Sequence, residues 1–174
     1  EYISKNFFKK KKILLDTRTF RYDFVLQLKK ILSKTNSLIK HDNKIINISC
    51  QQIQKKRSIK FFQLKTKFHG MSVEMKHKKI FSSIDSDVVI ITSPDAACWF
   101  LNIRGCDLPN SPITLCRLIL KKKSIKVFLD KKKIPGNFEN KKNLIKFYSI
   151  DSFDTQIKKL RKDTRVLLDK NSSY

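Results

Sequence analysis

Glycine is nearly missing from this sequence, with three in 174 residues. Gly70, Gly105 and Gly136 stand too far apart to build a glycine-rich loop that cradles phosphate, and no nucleophile elbow is present. The four cysteines, Cys50, Cys98, Cys106 and Cys116, never fall at a Cys-x-x-Cys spacing, and His41, His69 and His77 do not cluster with them, which argues against structural zinc. Cys98 and Cys116 lie in apolar stretches and are expected to be buried free thiols. Carboxylates are also few, 15 in all, with no His–Glu pair at metal-ligand spacing and no pair suited to acid–base work. No run approaches the roughly 20 apolar residues of a membrane span, and Glu1-Tyr2-Ile3 does not open a signal peptide, so the cytoplasm is the expected compartment. The sequence starts without Met and leads at once into a strand-like run, an expectation that it was cut from something longer.

What is abundant is positive charge: 39 lysines and arginines give a formal net charge of +24. Such an excess ordinarily raises nucleic-acid binding first. Lysine dominates over arginine, however, and the lysines fall in scattered runs, Lys9 to Lys12, Lys55 with Lys56, Lys78 with Lys79, Lys121 to Lys123 and Lys131 to Lys133. Together with plentiful Ile, Asn and Phe, this is the composition of an AT-rich coding sequence. Neither nucleic acid nor membrane is therefore an expected partner, and the lysines read as a solvated surface. With 40% hydrophobic residues the chain has enough apolar material for a core.

Lys12 to Asp16 reads as a short buried strand, followed by a helix with Phe20, Phe24, Leu28 and Leu32 on one face and Thr19 as N-cap; Ser37 to Lys40 resumes an extended pattern. Asn43 to Phe68 reads as a connector. A second helix follows Ser72 as N-cap, with Glu74 in its first turn, apolar Val73, Ile80, Phe81 and Ile84, and His77 as a surface or packing residue. Val88 to Thr92 is a continuous β-branched run, the pattern of a strand buried on both faces. Ser93-Pro94-Asp95 then opens a short helix to Asn102 with a hydroxyl cap, a proline in the first turn and a carboxylate beside it. Ile113 to Leu120 and Ile125 to Asp130 form a hairpin around Lys121 to Ser124. An extended run Leu144 to Ile150, a helix to Leu160 and a strand Val166 to Asp169 complete an α/β fold, a mixed β-sheet covered by helices. Lys12 to Phe20 also lines up with Arg165 to Tyr174, a basic residue, three apolar residues, an aspartate, then polar residues and an aromatic, which suggests an internal repeat.

The run from Val88 to Pro112 resembles the middle domain of cytosolic Xaa-Pro aminopeptidases. Thr92, Asp95, Trp99, Leu101, Asn102, Arg104, Gly105, Asp107 and Pro112 match that family's pattern, with His69-Gly70-Met71-Ser72 similar to the domain's entry and Leu168 to Tyr174 to its exit. Ser93-Pro94, Ala97-Cys98 and Cys106 depart from it without disturbing the strand–helix geometry. The resemblance implies a creatinase N-terminal-domain-like fold, occurring twice: residues 1–45 as the end of a first such domain, 46–68 as connector and 69–174 as a second. It implies that the catalytic residues and a dinuclear manganese centre belong to a further, C-terminal catalytic domain. That domain, a second copy of the chain and, through the whole enzyme, a peptide substrate are the partners it implies.

No catalytic or metal-binding residue is thus assigned within the chain, and no cofactor. Arg104 is the substrate-cleft candidate, since a guanidinium beyond a short helix can reach a carboxylate or carbonyl across a cleft; pairing with Asp107 or Asp95 to lock the loop is the competing reading. Asp95, Trp99, Asn102, Gly105 and Asp107 are structural-motif residues, with Trp99 expected in the core. An inactive remnant of such a peptidase and a basic nucleic-acid-binding module stand as alternatives.

Overall fold

The computed structural model of the chain describes residues 12–15, 20–32, 37–40, 59–140 and 143–169. The proposed Thr19 cap, Cys50, His41, most of the Lys9–Lys12 run, the Lys55–Lys56 pair and the exit residues Lys170 to Tyr174 lie outside them. The chain divides into two compact units, one of Glu1–Lys55 with Lys170–Tyr174 and one of Lys56–Asp169.

In the first unit, strands β1 (Lys12–Leu15) and β2 (Ser37–Lys40) pair in parallel, Lys12 opposite Ser37, and helix α1 (Tyr22–Leu32) lies between them in sequence. Val25, Leu28 and Leu32 are the buried residues of α1, a three-then-four spacing that follows the helical turn. Phe20 and Phe24 are exposed, stacked on each other with ring centroids 5.2 Å apart, so the buried face is rotated from the every-fourth-residue stripe read in the sequence.

The second unit holds a five-stranded mixed sheet in the order β8-β7-β6-β4-β9, formed by β4 (Val88–Ile91), β6 (Arg117–Lys121), β7 (Ser124–Leu129), β8 (Ile145–Ser149) and β9 (Val166–Leu168). Strand β6 pairs antiparallel with β4 and β7, whereas β8 and β9 join in parallel. A separate two-residue ladder joins β3 (Phe62–Gln63) to β5 (Ile103–Arg104).

Alternation along the strands sends side chains to two different cores. Val89, Leu118, Leu120, Ile125, Val127, Leu129 and Ile145 face helices α2 (Val73–Ser83) and α3 (Pro94–Leu101), which contribute Val73, Ile80, Phe81, Ala97, Phe100 and Leu101. Val88, Ile90, Ile119 and Phe128 face the short helix α4 (Phe153–Lys158) and its Phe153 and Ile157. The β-branched run of β4 is therefore buried on both sides, as its unbroken apolar character predicts.

Three readings need correction. Residues 59–68 are not a passive connector: Phe61 is 1% exposed, and its ring packs against Phe138 and Phe147. The strand before the hairpin begins at Arg117 rather than Ile113, because residues 105–115 satisfy their backbone within a loop, Asp107 N–H to the Ile113 carbonyl (2.9 Å) and Leu115 N–H to the Asp107 carboxylate (2.7 Å). Trp99 is 59% exposed and lies outside the core. Ala97, Cys98 and Leu101 define the buried face of α3, and position 99 turns away from it.

Candidate functional site

Ser72 caps α2 as expected, its hydroxyl accepting from Met75 N–H at 3.2 Å. Ser93 does not cap α3 in that way; its hydroxyl donates to the Asp95 carboxylate, which is held below the ordinary carboxylate range by that bond. Helix α3 ends at Asn102, whose left-handed backbone (φ 54°) is a conformation asparagine tolerates better than most residues.

Asn102 is the hub of the site. Its side-chain oxygen accepts from Lys76 Nζ at 2.6 Å, its amide nitrogen donates to the Met71 carbonyl at 3.0 Å, and its backbone carbonyl accepts from Leu64 N–H at 2.8 Å. Leu64 and the start of α2, both distant from Asn102 in sequence, converge on this one residue. Lys76 also donates to the Trp99 carbonyl and sits 4.0 Å from the Trp99 ring centroid, a cation–π contact on an exposed indole. Burial, assisted by the charge of Arg104, lowers the Lys76 pKa to about 8.

Arg104 takes neither carboxylate proposed for it. Its Nη1 donates to the Ile103 carbonyl at 2.8 Å and to the Cys98 carbonyl at 3.5 Å. Asp107 instead forms a buried ion pair with Lys133 at 2.7 Å, both side chains under 10% exposed. Gly105 is required by space: a Cβ there would lie 2.0 Å from Thr114 Oγ1 and 2.8 Å from Thr114 Cβ. Cys98 and Cys116 are buried free thiols, as expected; Cys98 Sγ accepts from Thr114 N–H at 3.3 Å and lies 3.4 Å from the Thr114 carbonyl. His77 is a packing residue, with Nε2 2.8 Å from the Lys121 carbonyl.

A cavity of about 730 Å³ opens beside this cluster, lined in part by Phe61, Thr66, His69, Glu74, Asn102 and Glu139. Of the motif residues Leu101 and Asn102 border it, with His69 and Ser72 of the entry motif; Arg104 does not. Sequence reasoning named His69 only as part of the entry motif and Glu74 only as the first-turn anion of α2, and it missed Glu139 as a lining residue. Position at the entry motif could have marked His69 and Glu74 as site residues; nothing near Glu139 in sequence marks it. Among the described residues no three His, Cys, Asp or Glu side chains converge as metal ligands, so these residues do not fit a metal centre. No helix among them is long and apolar enough to cross a membrane.

The profile of the Creatinase/Prolidase N-terminal domain matches residues 52–174. Xaa-Pro aminopeptidase 1 of Dictyostelium discoideum is 22% identical over 92% of the chain and 27% of its own length. The Drosophila melanogaster Xaa-Pro aminopeptidase ApepP is 25% identical over 67% of the chain and 21% of its own length. The crystal structure of an X-prolyl aminopeptidase from Caenorhabditis elegans, described as a cytosolic enzyme with a di-nuclear active site, superposes with a TM-score of 0.80 over 90% of the chain and 26% of that enzyme, at 17% identity. The chain spans about a quarter of the length of these relatives.

Proposed function

Because the chain belongs to the Creatinase/Prolidase N-terminal domain family, we propose that it serves as the non-catalytic N-terminal and middle region of a cytoplasmic Xaa-Pro aminopeptidase. In this reading it shapes the substrate cleft and supports oligomer contacts, and the dinuclear metal, manganese, is held by a catalytic domain outside these 174 residues. The observation that carries the reading is the agreement of the relatives, Xaa-Pro aminopeptidases that all extend far beyond the matched region.

Surface composition supports a role in contact with another domain. Trp99 is exposed, and β9, one of the two outer strands of the sheet, leaves Val166, Leu167 and Leu168 each more than 40% exposed. Apolar side chains on an outer strand favour a covering partner. The enzyme's own catalytic domain is the partner assigned here. Arg104, anchored on two carbonyls, is retained as the substrate-cleft residue because its guanidinium has no carboxylate partner among the described residues.

The test is hydrolysis of an Xaa-Pro tripeptide with manganese present, by the chain alone and by the chain mixed with the catalytic domain of a relative such as the Drosophila enzyme. No turnover by the chain alone, with a KM in the mixture that differs from that of the catalytic domain alone, supports the proposal; turnover by the chain alone overturns its non-catalytic role. In the active mixture Arg104→Met is expected to raise KM while leaving kcat unchanged. An unchanged KM removes Arg104 from the cleft.

A further inference from the structure

Parallel pairing between β7 and β8 places Lys126 directly opposite Lys146. Both alternate with residues of the helix-α2 and α3 core, so both project to the opposite face, the one α4 covers. Lys121, at the end of β6, shares that face two residues along from Ile119, and Lys159 follows the last residue of α4. The charges of Lys121, Lys146 and Lys159 all act on Lys126, adding to partial burial in holding its pKa below the ordinary lysine value. Lys126 donates to Gln156 Oε1 at 2.7 Å and lies 5.4 Å from the Tyr148 ring centroid, both neutral partners. Among the described residues no carboxylate pairs with any of the four lysines.

Like charges directly opposite on adjacent strands are unfavourable. An anion laid across them removes that cost. We propose that this lysine face of the β6-β7-β8 sheet binds the phosphodiester backbone of single-stranded nucleic acid without regard to sequence. Three adjacent strands span about 10 Å, room for successive phosphates of one strand. Compact ammonium groups neutralise phosphates as point charges, whereas base readout would call for arginine forks or free aromatic rings. Tyr148, the ring beside Lys126, is already stacked on Phe128 at 5.4 Å. A protein partner fits less well, since interface centres are poor in lysine and rich in exposed apolar side chains. The inference departs from the reading of all the lysines as solvated surface, and it is independent of the peptidase assignment.

The test is fluorescence anisotropy with a labelled 20-nucleotide oligo(U) probe, titrated against the 174-residue chain across a salt series. Lys126→Gln with Lys146→Gln is expected to weaken binding at least fivefold and to reduce the slope of log K against log salt by about 1.4, two phosphate contacts' worth. Lys131→Gln with Lys132→Gln removes equal charge elsewhere and should change affinity less than twofold. The pair Lys121→Gln with Lys159→Gln should behave like the first double variant, and it covers the case in which replacing the half-buried Lys126 impairs folding. Equal losses in the face variants and the Lys131 and Lys132 control overturn the proposal. So does binding of polyglutamate or of phosphatidylserine vesicles through the same lysines as tightly as oligo(U).

Discussion

The two faces of the central sheet treat lysine in opposite ways. On the face covered by α2 and α3, Lys133 is buried against Asp107 and Lys76 against the oxygen atoms of Asn102 and Trp99. On the face covered by the six-residue α4, Lys126 and Lys146 confront each other across a strand pair, with no acid between them among the described residues. Removing a cation from water costs several kcal/mol unless acceptors replace the hydration shell. The first face supplies those acceptors from helix ends and loops, and the second leaves its lysines at a margin where solvent reaches them. Net charge therefore says little by itself. One lysine holds the fold together, while another strains it.

The largest expected effects lie on the first face. Phe61→Ala should cost about 3–5 kcal/mol in urea unfolding, because a fully buried ring meeting Phe138 and Phe147 leaves a cavity. A loss under about 0.5 kcal/mol, the usual surface value, would return residues 59–68 to the status of connector. Lys133→Met should cost a similar amount, about 3–5 kcal/mol, because it strands the buried Asp107 carboxylate without its cation. Asp107 already has one oxygen, Oδ1, with no partner, which makes a second loss harder to absorb.

The smaller effect has the other sign. Lys146→Gln removes one of two opposed charges and should stabilise the chain by roughly 0.2–1 kcal/mol, with the gain shrinking in 0.5 M salt as screening replaces the substitution. Destabilisation at low salt would mean that Lys146 already has a compensating partner, and the contrast between the faces would fail.

Much of this architecture was legible locally. The β-branched run of β4, the Ser72 cap and the hairpin around Lys121 to Ser124 are short-range patterns, and each lies where its residues predict. Asn102, Gly105 and Asp107 were legible only as members of a motif; that Asn102 joins Lys76, Met71 and Leu64 depends on tertiary approach. Phe61 was missed because Lys60, Gln63 and Lys65 interrupt its apolar neighbours Ile59, Phe62 and Leu64, and its ring partners lie far along the chain. Trp99 was misplaced for a different reason. Tryptophan's size favours burial, but the phase set by Ala97, Cys98 and Leu101 leaves position 99 outside, and that phase was readable from the sequence.

Lys76 gives the finest test of the contrast, because its burial should be visible as a pH effect. In the folded chain its pKa is lowered to about 8 from an ordinary 10.5, chiefly by burial and then by Arg104. Between these values the unfolded chain binds more protons than the folded one, so stability must rise with pH across the window. Below about pH 8 the cost of holding a buried ammonium is fully present; above 10.5 it has gone. Lys126 is shifted in the same direction and adds a slope of the same sign, so wild type alone cannot isolate Lys76. Subtracting Lys76→Met does, since methionine keeps the apolar stem and loses the titrating group. The difference in unfolding free energy between wild type and variant should climb from pH 8 to 10.5, and a flat difference would show that Lys76 titrates as though it stood in water.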